Sequence, residues 1–316
     1  MNHYRLGVAG IASELPLTGL PEVAPIEAPE IRVTRGIAAA LADAWLDDHS
    51  SEIVPDWATI HYYRSADSRW HRIRYDYRGN VADVAIREDG AEVVVETIHP
   101  DAAEVANLIE GPILGRAMRL AGCTCLHATA LAHGDRAIAL MGASGVGKSS
   151  LAWALVRQGC RLVTDDMVAL ARDGDALMVQ PGRARLRLWP DSAEQLGLSG
   201  DAGILFPTTT EMAKVGVHDP ALFEDRPVRL DAIYRVLPRD SGLAEPAIAE
   251  MPVAERLAEL AANLHGMLAP GREGRRRELA WLADVAMRVP VRTLTLPDRL
   301  DALPQVAAAL IPRLFA

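Results

Sequence analysis

The chain has 316 residues, half of them apolar, and a formal net charge of −9. That length accommodates two domains with a sizeable core, and an acidic balance with no offsetting basic block argues against nucleic acid as a partner. No apolar run reaches membrane-spanning length and no leader pattern opens the chain, so a cytoplasmic protein that uses no membrane is expected. Cys123, Cys125 and Cys160 fit a reducing compartment and read as buried thiols, since no second cysteine pair or spaced histidine cluster accompanies them.

In chain order, residues 11–30, with Pro16, Pro21, Pro25 and Pro29, read as an irregular loop. Residues 60–63, 70–77, 81–86 and 92–96 then alternate as short strands. Turn signals at 78–80 (RGN) and 88–90 (EDG) join them, which predicts a small antiparallel sheet. Residues 101–121 are predicted helical with an interruption at Gly111-Pro112, where proline opens a second helix. A strand at 126–131 turns through 133–136 into a second strand at 137–141. Residues 150–158 follow as a helix closed by Gly159, and 162–164 as another strand. Further on, 176–180 and 185–189 are strand-like, 200–229 is loop-rich and 230–237 is a strand. Helices are predicted near 252–268 and 276–288, the basic run at 272–278 being a solvated helix start. A strand at 291–296 and a helix running to Phe315 complete the chain. The pattern divides into a β-rich N-terminal domain, 1–115, and an α/β domain, 116–316.

Between the strand at 137–141 and the following helix lies Gly142-Ala143-Ser144-Gly145-Val146-Gly147-Lys148-Ser149, a complete G-x-x-x-x-G-K-[ST] phosphate loop. Glycines let the backbone wrap a phosphate with its N–H groups turned inward, and the helix that begins here, with Ser150 in its first turn, adds partial positive charge. Lys148 supplies a point charge for outer phosphates and the Ser149 hydroxyl suits a bridging metal, so the motif implies a nucleoside triphosphate with Mg2+.

Asp165 and Asp166 close the next strand, one helix and one turn beyond the loop. A carboxylate at such a strand end is the usual second magnesium anchor, and a neighbouring one can take a proton from an attacking hydroxyl. Adjacent negative charges raise one another's pKa, which suits a base working near neutrality. His127 lies on the strand that hairpins into the loop, in reach of the same pocket, where a histidine can orient or stabilise an aspartate.

His127, the loop with Ser150, and residues 159–168 (GCRLVTDDMV) together resemble the catalytic core of the HPr kinase/phosphorylase family, closely over about forty residues and loosely from 115 onward. The resemblance implies an α/β fold, a P-loop kinase domain of HPr kinase type preceded by a small β-rich N-terminal domain. It also implies an ATP-dependent serine kinase that uses Mg2+, acts on a peptide or small protein bearing a serine, and assembles as a homo-oligomer. His127 would support proton transfer and Lys148 would bind phosphates. Ser149 would bind magnesium with Asp165 and Asp166, one of which would be the general base.

Where that family has a glycine-flanked acidic segment, residues 181–190 (PGRARLRLWP) contain no acidic residue, a departure that points towards a one-way kinase. The arginine-rich segment with its Leu-Trp-Pro ending, Lys214 to Val217 and residues 227–234 resemble instead HPr-kinase-related proteins of ribosomal peptide biosynthesis. Some of these phosphorylate the C-terminal serine of a lasso precursor peptide. Arg185, Arg187 and Lys214 are candidates for stabilising transition-state charge or gripping an acidic peptide. Two other readings stay open: a small-molecule kinase, distinguished by an acceptor screen, and a nucleotide-gated peptide-binding module, distinguished by binding without phosphorylated product.

Overall fold

The computed structural model describes residues 1–316 apart from 47–49, 55–57, 78–79, 98–104, 107, 184, 199–203, 208–214, 219, 267–270 and 300. The chain forms two compact units, one built on Met1–Cys123 with Gly266–Arg275, the other on Thr124–Pro207, Ala213–His265 and Arg276–Ala316. Among the described residues no helix is long and apolar enough to cross a membrane.

The first unit is an eight-stranded sheet in the order β1-β2-β3-β8-β7-β6-β5-β4. Its strands are β1 Asn2–Leu6, β2 Ala9–Ser13, β3 Ile31–Arg35, β4 Ser50–Val54, β5 Ala58–Arg64, β6 Trp70–Tyr77, β7 Asn80–Arg87 and β8 Glu92–Thr97. The four predicted strands are β5 to β8, paired antiparallel as expected. The sheet is nonetheless larger than predicted and mixed, because β3 runs parallel to both β2 and β8. The irregular loop also starts later than expected. Residues 9–13 (AGIAS) are small enough to lie wholly buried as β2, a pattern without the bulky alternation that marks most strands. The predicted interruption at Gly111-Pro112 is a change of helix type and not a break. A π-helical turn, Ile109–Ile113, runs directly into α1, Leu114–Leu120. A wider turn tolerates the missing proline N–H without ending the helix.

The second unit is built on a nine-stranded sheet. Its strands are β9 Cys125–Leu126, β10 Ala128–His133, β11 Arg136–Met141, β12 Arg161–Thr164, β13 Val168–Asp173, β14 Ala176–Val179, β18 Val228–Val236, β19 Ala247–Glu250 and β20 Val291–Thr295. They run β12-β10-β11-β18-β14-β13-β9, with β20 beside β18 and β19 on β20. A separate three-stranded sheet pairs β15 Leu186–Leu188 and β16 Ile204–Pro207 with β17 Val215–His218. β16 and β17 lie in the stretch predicted as loop. Strands of four residues carry too little alternation to stand out from a loop. Its α-helices among the described residues are α2 Lys148–Val156, α3 Pro190–Gln195, α4 Val253–Ala262, α5 Arg272–Arg288 (from Arg276 in this unit) and α6 Leu303–Leu314.

Alternation along the central strands explains the two-sided core. Ile138 and Leu140 of β11, with Leu131 of β10, pack with Leu151 and Leu155 of α2 and Leu310 of α6. Ala137, Ala139 and Met141, with Ala128, Ala130 and Ala132, face Leu260 of α4 and Leu282 and Val285 of α5. A strand buried on both faces reads as a continuous apolar run, as residues 137–141 do. β11, β18 and β20 are parallel, so their C-terminal ends share one edge of the sheet. Ligands of open α/β sheets bind outside that edge.

Candidate active site

Register brings the distant motifs together. β10 is antiparallel to both β11 and β12, with Ala128 opposite Met141 and Ala130 opposite Thr164. His127 just before β10, Gly142 just after β11 and Asp165 just after β12 therefore emerge from one edge of three adjacent strands. At about 4.8 Å per strand the glycine loop and the aspartates are roughly 10 Å apart, with His127 between them.

The loop needs its glycines. A Cβ at Gly142, where φ is 139°, would stand 2.6 Å from the Val236 carbonyl oxygen. The loop residues Ala143, Ser144 and Gly145 are exposed, Val146 packs partly against the core, and Ser150 is buried. α2 begins at Lys148 with no side-chain cap on its first amides. Lys148 Nζ donates to the carbonyls of Gly142 (2.7 Å) and Ala143 (3.0 Å), curling back over the loop. Uncapped helix amides with a lysine beside them form a cradle suited to phosphate. The Ser149 hydroxyl and the aspartates offer oxygen donors, which suit Mg2+. Among the described residues no three or more His, Cys, Asp or Glu side chains gather to hold a metal by themselves. Mg2+ commonly takes one or two protein oxygens and fills its shell with water and phosphate, so this donor set fits it.

The two aspartates have different surroundings. Asp165 is 3% exposed and accepts a hydrogen bond from the Thr129 hydroxyl at 2.6 Å. Burial, then the neighbouring negative charge of Asp166, pushes the Asp165 carboxyl up to about 6. Asp166 sits at φ 65°, in the left-handed region that a non-glycine residue enters at a cost of order 1 kcal/mol. The turn is tied on both sides, by Met167 N donating to the Asp165 carbonyl and the Thr164 hydroxyl to that of Met167. For Asp166 burial again acts upward, but the positive charges of Arg187, Arg183 and His127 outweigh it and hold the carboxyl well below the usual range. Mutual elevation, expected for both, thus holds for Asp165 alone, because the arginines reverse it at Asp166.

Arg187 donates to Asp166 Oδ2 through its guanidinium. Arg183 places a nitrogen 3.7 Å from the same oxygen, with a side chain only 3% exposed. Gly182 makes this approach possible. Its N–H donates to the Val163 carbonyl, and a Cβ there would collide with the Thr164 side chain. Arg185 places its Nε 3.1 Å from the position a Cβ on Gly216 of β17 would take. Lys214 lies outside the described residues. His127 is fixed through its backbone: its N–H donates to Asn263, and His265 N donates to Cys125. The His127 and His265 rings stand 5.8 Å apart. Sequence reasoning missed Thr129 and Arg183, although the alternate spacing of Arg183, Arg185 and Arg187 was a usable signal.

Residues 118–186, which carry His127, Thr129, the glycine loop, Asp165, Asp166, Arg183 and Arg185, match the HPr Serine kinase C-terminal domain family. The match spans less than a quarter of the chain. The HPr kinase/phosphorylase of an Exiguobacterium species is 36% identical over 77 residues, and that of Exiguobacterium sibiricum is 35% identical over the same length. Each alignment covers 24% of this chain and 22% of the relative, so the chain aligns with under a quarter of those proteins. The solved HPr(Ser) kinase/phosphatase from Coxiella burnetii overlaps 60% of this chain and 94% of its own, with 13% identity and a TM-score of 0.33.

Proposed function

We propose that this protein is an ATP-dependent kinase that phosphorylates a serine hydroxyl of a peptide or small protein. The observation that carries the reading is the strand register that gathers His127, the glycine loop and the Asp165–Asp166 pair at one sheet edge. The similarity of residues 118–186 to the HPr Serine kinase C-terminal domain supports it.

Lys148 and the first amides of α2 would hold the phosphates of ATP. Ser149, with a carboxylate of the aspartate pair, would hold Mg2+, which when bound neutralises phosphate charge. Asp165, raised to about 6, is the better placed base, because a catalytic base works best with a pKa near the operating pH. It takes the proton of the acceptor hydroxyl as that oxygen forms its bond to the terminal phosphorus, and the bond from that phosphorus to the ADP oxygen breaks. Asp166, kept ionised by Arg187 and Arg183, holds those two cations beside the reaction centre. His127 contributes to the same balance. The absence of an acidic residue in 181–190 favours transfer in one direction, and the arginine-rich segment favours the C-terminal serine of a lasso precursor peptide as acceptor.

Incubation of the protein with ATP, Mg2+ and serine-bearing peptides, followed by mass spectrometry, tests the reading. A gain of one phosphate on serine that Lys148→Ala abolishes is expected. No phosphorylated product across the peptides, or undiminished transfer by Lys148→Ala, would overturn it.

A further inference from the structure

Beyond the residues that motif and similarity single out, one cation stands against the glycine loop. Arg239 directs its guanidinium at Gly147, with two nitrogens 3.6 and 3.8 Å from the position a Cβ there would occupy. Gly147, at φ 102°, is the residue from which α2 starts. Arg239 lies three residues past the end of β18, the parallel neighbour of the strand that feeds the loop, with Met141 opposite Arg235. It therefore occupies the same sheet edge as the loop, on the side away from the aspartates.

The backbone around Arg239 is fixed. Leu237 N donates to Leu294, Asp240 N to Leu296 and Asp298 N to Asp240, tying the turn after β18 to the end of β20. Gly242 N closes the turn onto the Asp240 carboxylate at 2.8 Å. The side chain is half-buried, yet among the described residues it makes no hydrogen bond or ion pair. Burial lowers its proton affinity, and the more distant charge of Asp298 opposes that only in part. A partly desolvated guanidinium on a rigid turn, without a carboxylate in contact, is prepared for an anion from outside the chain.

We propose that Arg239 is a second cationic contact to the outer phosphates of the nucleotide, reaching the phosphate chain from the Gly147 side while Lys148 reaches it from within the loop. The inference rests on the kinase reading, since it takes the glycine loop as a nucleotide site. Arginine's planar fork can bridge two phosphate oxygens where the lysine offers a point charge.

Calorimetric titration of the full chain with ATP, ADP and AMP in the presence of Mg2+, on wild type, Arg239→Ala and Arg239→Lys, decides it. Loss of one charge-assisted contact predicts ATP affinity weakened about tenfold to a hundredfold in Arg239→Ala. Arg239→Lys should recover part of that loss, and AMP binding should be unchanged. Melting of the nucleotide-free variants should match wild type, because the side chain has no partner to lose. Unchanged ATP affinity in Arg239→Ala overturns the inference, as does an equal loss for ATP and AMP, which would assign the guanidinium to base or sugar. Either result leaves the kinase reading standing. A wild-type chain that binds none of the three nucleotides overturns both.

Discussion

Thr129 donates its hydroxyl to Asp165 Oδ1 at 2.6 Å, from the strand that pairs with the one ending at that aspartate. The bond supports the charged form of a carboxylate that burial otherwise drives towards protonation. Thr129→Val keeps the shape and removes the donor. It should cost about 2 kcal/mol at pH 8, where Asp165 is ionised, and much less at pH 4.5, where the protonated acid is a weaker acceptor. Urea unfolding at the two pH values checks this, and an equal loss at both would assign the effect to packing.

The aspartate pair should respond to pH in opposite senses. Asp165 titrates higher in the folded protein than unfolded, so its favourable contribution is complete below the ordinary 3.8 and is lost as pH rises through about 6. Asp166 titrates lower when folded, so its contribution is present above 3.8 and is lost as pH falls. Asp165→Asn should therefore raise stability at pH 8, by up to about 3 kcal/mol from a shift of that size, with the gain vanishing near pH 4. Asp166→Asn should lower stability at pH 8, because buried Arg183 and partly exposed Arg187 lose their carboxylate. Both should lose phosphoryl transfer. Melting curves from pH 4 to 8 provide the check, and a destabilised Asp165→Asn at pH 8 would contradict the assignment.

What could be read in advance, and what could not, follows from the range of the interactions. Glycine spacing in 142–149 and the apolar strand ending at Asp165 are local patterns, and both elements form where expected. The same is true of β5 to β8, whose alternation is strong. Thr129 carries no local mark, since its role arises from pairing across strands, through a register shift between Ala130 and Leu131. The split between Asp165 and Asp166 depends on Arg183, which reaches the turn only because Gly182 packs against Thr164. Arg239 follows an unremarked strand end and gains meaning from the neighbouring loop. Strands β2 and β3 are hidden by the prolines between them and by the small residues of β2.

Gly182→Ala tests the packing that delivers Arg183. The added Cβ would strike the Thr164 side chain, so residues 181–183 must retreat from the aspartate turn. Overpacking of this kind costs about 1–3 kcal/mol. The loop is untouched, so ATP affinity should hold within about twofold while the rate of transfer falls at least tenfold, since small misplacements of catalytic groups are costly. Steady-state kinetics beside a binding titration separate the two. An unchanged rate would remove Arg183 from the working arrangement around Asp166.

Lys148 makes the last prediction. Its ammonium now satisfies the carbonyls of Gly142 and Ala143, so binding must exchange those two neutral acceptors for phosphate oxygens. The exchange favours phosphate, because an ammonium meets a full opposite charge on a phosphate oxygen and only a dipole on a carbonyl. A ligand at about a hundred times its dissociation constant stabilises the folded state by about 2.7 kcal/mol. In a second unit of some 180 residues, that corresponds to a rise in melting temperature of about 5–11 °C. Wild type with Mg2+ and excess ATP should show this rise, and Lys148→Ala should show little of it while melting near the wild-type temperature without nucleotide. If Lys148→Ala were stabilised by ATP as strongly as wild type, the nucleotide would be bound away from the glycine loop.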